Sequence, residues 1–536
     1  MPTSPNLFVS TDSENEATIV VKFQEAISLA LVFDTDAPYY LPENFFKAAS
    51  VAWHLYGPFS EYVPVTDDLS KFWNLLSAYG AKLTFLYADT PPIMLLELVQ
   101  RAQQRAAALD PGYGKTHNIS PLLRSANLFT YFQLQCPAEK AEALDNELQN
   151  FTPGYKSKYP LLELAYQRGT FVPASVPTTP AQLPTDYMAL LNLTGTLPVA
   201  NQAPIGIHIV DFAWLDHTAF RGRVNFAQQP QFPSVVAPPS GPHQHGCWVL
   251  GVLISQDAPF RGTAPQAAVK LFSAYAGGAN SRTRIDDALA QALYASTPSD
   301  VILLELALGN LSRHDGRFSN LPGDYPVETD QACYDLIWFA THELGLTVVE
   351  PAGNGSTDLD LLDAFLLSKG RVDERVQADF DKPTLSPGTS SLSFTERSVI
   401  HRARYLSNKP QTSARASADT DSGAILVGAA VQPNHTGVWQ NGRNYGSRVD
   451  CLAPGEQLLT TDDGNGQTQA FGETSGATAL VAGFIVQLKQ LARQKNQLIT
   501  PVQVRAAIRR QCGVPITQNG AAVFPDFKAL SRVLLP

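Results

Sequence analysis

The sequence has 536 residues, of which 44% are apolar and 16% charged, and its formal net charge is −10. This length exceeds one ordinary core and predicts several domains, while the apolar content excludes a disordered protein. The acidic balance, without any Lys/Arg-rich block, argues against nucleic-acid binding. Five widely spaced cysteines argue against a disulfide scaffold or a structural zinc site.

The start of the chain, MPTSPNLFVSTDSENE, has neither the basic nor the apolar region of a standard signal peptide. We therefore expect a cytoplasmic protein. No apolar run approaches the roughly 20 residues that cross a bilayer, so we expect no membrane span.

The first part of the chain, residues 1–172, alternates short β-rich runs with helical patterns. The runs are ATIVVKF, KLTFLYA and LFTYFQLQ, and the helical patterns are PPIMLLELVQRAQQRAAAL and PAEKAEALDNELQNF. These patterns predict a small α+β domain, with a strand, a helix and a strand between Leu128 and Tyr166.

A proline-rich linker follows at residues 173–200. Within it lie Pro173, Pro177, Pro180 and Pro184. Proline at this density disfavours both helix interior and central strand, so the stretch from Phe171 to about residue 187 is expected to be extended and exposed.

The third part, residues 201–536, alternates apolar runs with helical patterns. The runs IGIHIV, AVKLF, VILLEL, LTVVEPA and AILVGAA show no polar alternation. Strands of this type are buried on both faces, which predicts a doubly wound, mostly parallel sheet with helices on both faces. An insertion at about 358–418 is interpreted as a surface excursion, with a functional lid as the open alternative.

Four polar residues lie at strand–helix junctions of this region: Asp211, His245, Asn354 and Ser475. Each alone has an ordinary explanation as a helix cap, turn residue or structural hydrogen-bonder. Together they predict nucleophilic catalysis by the serine. A serine hydroxyl needs a base that takes its proton, the base needs a carboxylate that orients it, and the resulting oxyanion needs hydrogen-bond donors. Asp, His and Ser also occur in the chain order of subtilisin.

The local motifs resemble those of the subtilase family, peptidase family S8. HGCWVLG resembles the family's His motif, VVEPAGNG its oxyanion-Asn motif and ETSGATALVAG its serine motif. The matching positions are His245, Gly246, Val249 and Gly251, and then Thr474, Ser475, Ala477, Val481, Ala482 and Gly483. RGTAPQAAVKLFSAY, DSGAILVGAA and NYGSRVDCLAPGEQLLTT extend the resemblance over nearly all of 201–536.

The resemblance implies a subtilisin-like serine peptidase with Asp211, His245 and Ser475 as its triad and Asn354 in its oxyanion hole. In the first part, VVKF, DPGY, YFQLQCP and AYQRG resemble a region that precedes the catalytic domain of bacterial S8 peptidases much as a propeptide does. The chain's own N-terminal domain is therefore a candidate intramolecular inhibitor.

The sequence also departs from the family pattern. Phe212 and Ala213 replace the usual Ser/Thr-Gly, Cys247 replaces a Thr, Glu473 a Gly and Ala479 a Pro. None of these changes removes a reacting group. Cys247 is interpreted as a packing residue, although a thiol at a helix start has a lowered pKa.

Clefts of the subtilase type bind an extended peptide by strand addition. The resemblance assigns this role to two segments, Ala276, Gly277 and Gly278 on one side and Leu306 and Gly309 on the other.

No cofactor is expected; calcium is common in the family, but no loop shows a calcium-ligand pattern. A peptide or protein substrate is expected, and two alternatives stay open: a catalytically impaired pseudo-protease that binds peptides or a partner, and a transpeptidase.

Overall fold

We describe a computed structural model of the chain. The described residues are 16–23, 65–109, 128, 130–151, 161–168, 171–173, 186–194, 203–212, 214, 217–220, 224, 242–256, 261–274, 284–309, 324–361, 421–432, 438–514, 516–518 and 520–536. The predicted cleft segment 276–278 lies outside them, as does the predicted insertion after residue 361.

The N-terminal part forms a four-stranded sheet in the order β2-β3-β1-β4. All three pairings are antiparallel. Its elements are β1 (Glu16–Phe23), α1 (Val65–Tyr79), β2 (Lys82–Phe85), α2 (Pro92–Leu109), β3 (Tyr131–Pro137), α3 (Ala141–Leu148) and β4 (Leu162–Gln167). The predicted strand, helix and strand between residues 128 and 166 are thus present. Phe23 packs edge-to-face against Phe72 and Phe132, which joins helix α1 to the sheet.

The linker region departs from its prediction. A short strand, β5 (Phe171–Pro173), buries Phe171, and a helical turn, α4 (Tyr187–Leu190), begins after Asp186. The Asp186 side chain accepts a hydrogen bond from Ala189 N and so caps this turn. The expectation of an exposed segment was therefore wrong at Phe171, because its side chain belongs to a hydrophobic core shared with the third part of the chain.

The second sheet follows the predicted fold class, a mostly parallel sheet with helices on both faces. Its strand order is β12-β11-β10-β8-β6-β7, with β13 beside β11, and its pairings are parallel except that of β12. The strands of this region are β6 (Gly206–Asp211), β7 (Ala268–Ser273), β8 (Val301–Leu304), β9 (Leu306–Leu308), β10 (Thr347–Pro351), β11 (Ile425–Val431), β12 (Gln440–Asn441), β13 (Cys451–Pro454), β14 (Leu458–Thr461) and β15 (Gln467–Phe471). Its helices are α5 (Pro242–Ile254), α6 (Ile285–Ala295), α7 (Gln331–Trp338), α8 (Glu473–Gln494), α9 (Pro501–Cys512) and α10 (Phe527–Leu534).

The two faces of this sheet bury different side chains. Ile302 and Leu304 of β8 join a core that includes α6, α7 and the N-terminal sheet. Val301 and Leu303 of the same strand join a core that includes α5 and α8. Burial on both faces explains why these strands are continuously apolar.

The run VILLEL forms two short strands rather than one. Glu305 separates β8 from β9; its backbone N–H still donates to Val210 O of β6, and the chain leaves the main sheet after this residue. Strand β9 pairs instead with β5, antiparallel. None of the helices in the described part of the chain combines the length and apolar character needed to cross a bilayer.

Candidate active site

The four predicted site residues lie at one end of the parallel sheet. Asp211 is the last residue of β6, His245 lies in the first turn of α5, and Asn354 follows β10 by three residues. Ser475 is the third residue of α8. Because the carboxyl ends of parallel strands meet at one edge, residues distant in sequence come together here.

Asp211, His245 and Ser475 form one hydrogen-bonded chain. His245 Nδ1 lies 2.8 Å from Asp211 Oδ2, and His245 Nε2 lies 3.0 Å from Ser475 Oγ. The other Asp211 oxygen accepts the Phe212 N–H at 2.7 Å. All three side chains are buried. The carboxylate thus fixes the imidazole, and the imidazole is placed to accept the serine proton.

Asn354 is oriented by the residue that precedes the serine. Its Oδ1 accepts hydrogen bonds from Thr474 N at 3.1 Å and from Thr474 Oγ1 at 2.9 Å. Since a backbone N–H can only donate, the amide oxygen must face Thr474, and the donor nitrogen lies at the other end of the amide. Gly353 makes this turn possible, because its φ is +90° and a Cβ would lie 1.8 Å from Asp324 O.

Two of the sequence departures have a structural explanation. The Cys247 thiol contacts Thr461 Oγ1 at 3.5 Å and Asp462 O at 3.8 Å, on the hairpin that β14 and β15 form. It therefore packs against this hairpin, whereas His245 bonds Asp211 and Ser475. Thr461 Oγ1 in turn donates to Cys247 O at 2.6 Å, which fastens the start of α5 to the hairpin.

Glu473 has its charge compensated. Its Oε1 accepts from Arg443 Nη2 at 2.7 Å, and its backbone lies in the left-handed region with φ of +53°. Both charged groups influence the pKa of Asp324, a non-glycine residue that also has positive φ. Burial, together with the charge of Glu473, raises the pKa of Asp324 to about 6, and Arg443 opposes this shift.

The predicted cleft segment at Leu306 and Gly309 adjoins an occupied strand position. Phe171 pairs with Leu308, Val172 with Ala307 and Pro173 with Leu306, all antiparallel. Gly309 follows this strand directly. The pairing is the strand-addition geometry expected of a bound peptide, made here by the chain itself.

Sequence reasoning missed one acidic residue at the site. Glu305 is completely buried, burial raises the pKa of its carboxyl well above the usual range, and the charge of Asp211 raises this pKa further. The signal was present in the sequence, since Glu305 is the one charged residue within the apolar run VILLEL.

One group of residues in the described part of the chain has metal-ligand proximity: Asp286, Asp330 and Cys333. The Arg168 guanidinium, from the segment after β4, already bonds all three. A thiol ligand also does not suit calcium, which takes oxygen ligands. These residues therefore do not fit the calcium site that is common in the family.

Comparison with known proteins gave a family model, described as the subtilase family, that matches residues 178–523. A search of curated proteins gave no match.

Solved structures similar to the chain include two serine proteases and one enzyme described as related to subtilisin. The epidermin leader peptide processing protease from Staphylococcus aureus is 15% identical, with 76% of this chain and 92% of that chain covered and a TM-score of 0.47. Fervidolysin from Fervidobacterium pennivorans, described as a keratinolytic enzyme, is 14% identical, with 76% and 57% covered and a TM-score of 0.44. A cold-adapted subtilisin-like proteinase is 16% identical, with 60% and 88% covered and a TM-score of 0.35.

Proposed function

Since the chain belongs to the subtilase family and is a serine peptidase, we propose that it is an endopeptidase that works through an acyl-enzyme. Asp211, His245 and Ser475 form its triad, and Asn354 serves its oxyanion hole. The observation that carries this proposal is the chain of contacts at 2.8 Å and 3.0 Å from Asp211 through His245 to Ser475.

The reaction begins at Ser475. Its Oγ attacks the substrate carbonyl carbon while His245 Nε2 takes the hydroxyl proton, and Asp211 stabilises the imidazolium through Nδ1–H. The oxyanion accepts hydrogen bonds from Asn354 Nδ2 and from the Ser475 backbone N–H at the start of α8. The imidazolium then protonates the leaving amine, which leaves an ester on Ser475, and water hydrolyses this ester by the same steps.

The test is covalent labelling of the serine. A fluorophosphonate probe should label the wild-type chain at Ser475, and Ser475→Ala should abolish both labelling and peptide hydrolysis with folding retained. Cys247→Ala is the matched control, because this thiol lies beside His245 in sequence but contacts the hairpin. Hydrolysis that survives Ser475→Ala but is lost in Cys247→Ala would contradict the assignment.

We also propose that the N-terminal domain keeps the enzyme latent. Strand β5, which follows this domain, pairs with β9 in the position where a substrate would add as a strand. A tethered strand acts at high effective concentration, of order millimolar for a short linker. Labelling of the intact chain should therefore be slow and should accelerate when the linker is cut between residues 174 and 186. Equal labelling before and after the cut would contradict latency.

The alternative of a pseudo-protease depended on Glu473 and Ala479. The Glu473 charge is paired with Arg443, and Ala479 lies inside the continuous helix α8, so neither residue interrupts the contacts among the three triad residues. Transpeptidation on the same triad would appear as products that carry an added amine nucleophile.

A further inference from the structure

Asn444 is a completely buried amide beside the turn that carries Asn354. It lies between β12 and β13, whereas Asn354 follows β10, so the two residues come together only through the fold of the sheet. The side-chain nitrogen of Asn444 donates to Ala352 O at 2.7 Å, and its side-chain oxygen accepts from Thr357 N at 2.9 Å. These two partners lie on either side of Asn354 in the sequence. One side chain therefore closes the turn 352–357 from both ends.

Two further hydrogen bonds connect Asn444 to this turn and to its neighbour. The backbone N–H of Asn444 donates to Gly353 O at 3.2 Å, and its side-chain nitrogen also donates to Asp324 O at 2.9 Å. A carbonyl oxygen only accepts and a backbone N–H only donates, so the contacts fix which end of the amide faces which partner. Gly353 packs so closely here that a Cβ would lie 2.8 Å from Asn444 Nδ2. The site therefore requires an amide whose nitrogen faces the two carbonyl oxygens.

The turn needs such a restraint because its backbone is strained. Gly353 has a φ of +90°, and Ser356 has a φ of +53°, which non-glycine residues rarely adopt. Conformations of this kind persist only where the surrounding structure holds them in place. The Asn354 side chain is held separately, by the two hydrogen bonds that its Oδ1 accepts from Thr474. Helix α8 thus orients the Asn354 amide, while Asn444 fixes the backbone on either side of it.

We propose that Asn444 is a positioning residue for the oxyanion hole, whose amide holds the turn 352–357 so that Asn354 Nδ2 reaches the developing oxyanion. The proposal rests on the role of Asn354 in the proposed function. A donor stabilises the transition state only if it reaches the place that the oxyanion occupies. A displacement of about 1 Å at such a donor can lower the rate about 100-fold. Asn444 therefore acts on catalysis through Asn354.

Asn444→Ala removes the side-chain contacts to the turn and to Asp324. We expect kcat on a peptide substrate to fall by about 10- to 100-fold. The KM should stay within about threefold, because a displaced Asn354 weakens binding of the transition state more than binding of the substrate. Asn444→Asp keeps the volume and the acceptor for Thr357 N, but it turns a carboxylate oxygen toward two carbonyl oxygens. It should lose activity by at least about tenfold, which separates loss of the donor from loss of volume.

A double-mutant cycle tests whether Asn444 acts through Asn354. Asn444→Ala and Asn354→Ala are measured alone and combined in the full chain. In the Asn354→Ala background, Asn444→Ala should lower kcat by less than about threefold, because the group that it positions is already absent. If Asn444→Ala has the same effect in both backgrounds, it weakens the enzyme by another route and the proposal is overturned.

Asn441→Ala is the matched control. Asn441 is also a buried amide, but it lies on β12, and its side-chain oxygen accepts from Arg443 N at 3.2 Å. This contact lies outside the turn 352–357, so kcat should stay within about threefold of the wild type. A loss as large as that of Asn444→Ala would show that any change in this segment impairs catalysis, and the specific role would be wrong.

Thermal unfolding and circular dichroism show which variants fold. If neither Asn444→Ala nor Asn444→Asp folds, Asn444 is a structural residue and the positioning role is overturned. The kinetics also separate this inference from the proposed function. Full kcat in Asn354→Ala would remove Asn354 from the oxyanion hole, and the positioning role would fail with it. If Asn354→Ala is impaired while both folded Asn444 variants keep full kcat, only the positioning role fails.

Discussion

Two buried carboxyl groups near the end of β6, those of Asp211 and Glu305, have opposite environments. Asp211 accepts one hydrogen bond on each oxygen, from Phe212 N and from His245 Nδ1. Glu305 has no such donors among the described residues, and burial favours its neutral form. These two buried acids thus differ in the number of hydrogen-bond donors around them.

Asn354 provides the residue-scale prediction. Asn354→Ala should lower kcat by about 100- to 1000-fold with little change in KM, because the bond to the oxyanion strengthens only in the transition state. Steady-state kinetics on a peptide substrate measure both constants. Asn354→Asp, which replaces the donor with an acceptor, should be at least as impaired. A large rise in KM at unchanged kcat would show instead that Asn354 only binds substrate.

At the scale of elements, strand β9 is shared between two neighbours. Leu308 exchanges both of its backbone hydrogen bonds with Tyr325. Because successive residues of a strand turn their backbone groups to opposite sides, Ala307 turns both of its groups to β5, where its partner is Val172. The backbone of Val172 is therefore the main hydrogen-bonding contact between β5 and β9.

Val172→Pro tests this element directly. Proline has no N–H, so the variant loses the hydrogen bond from residue 172 to Ala307. Such a bond contributes about 1 kcal/mol, and we expect the intact chain to be labelled at Ser475 about fivefold faster. Val172→Ala keeps the N–H and serves as the control. If both variants are labelled at the wild-type rate, β5 does not restrain the active site.

At the scale of the whole molecule, the N-terminal domain is fastened to helices α6 and α7 by buried charge. Arg168 bonds both Asp286 oxygens and bonds Asp330 Oδ1 at 3.1 Å, and the guanidinium is nearly inaccessible. Lys22 and the Tyr131 hydroxyl both reach Asp335. The hydrophobic core is also continuous across this boundary. The domain is thus positioned so that strand β5, which follows it, pairs with β9.

Arg168→Met is the prediction at this scale. It leaves Asp286 and Asp330 buried without their cation, a change that costs about 3–5 kcal/mol. We expect the N-terminal domain to loosen and Ser475 labelling of the intact chain to rise. Arg105→Met is the matched control, because Arg105 also crosses the boundary but donates to the His342 and Glu343 carbonyls at an exposed position. Equal labelling rates in the two variants would show that the ion pairs do not hold the domain in place.

The sequence by itself determined the family, the type of the catalytic sheet and the candidate reacting groups. These are readable because they depend on local patterns: continuous apolar runs indicate strands buried on both faces, and the motifs around His245 and Ser475 keep fixed spacing. Even the strand, helix and strand of the N-terminal part between residues 128 and 166 followed from periodicity.

Only the tertiary structure decided which distant residues meet. Pairing of β5 with β9, compensation of Glu473 by Arg443, and the hydrogen bond from Glu305 N to Val210 O all join segments that local patterns do not relate. The proline-rich segment was predicted to be exposed, and the prediction was wrong at Phe171. Its burial could not be read locally, because Phe171 pairs with a strand more than a hundred residues away. Long-range packing sets the solvent access and the hydrogen-bond donors of each group, and these two quantities determine whether a buried acid is charged or neutral.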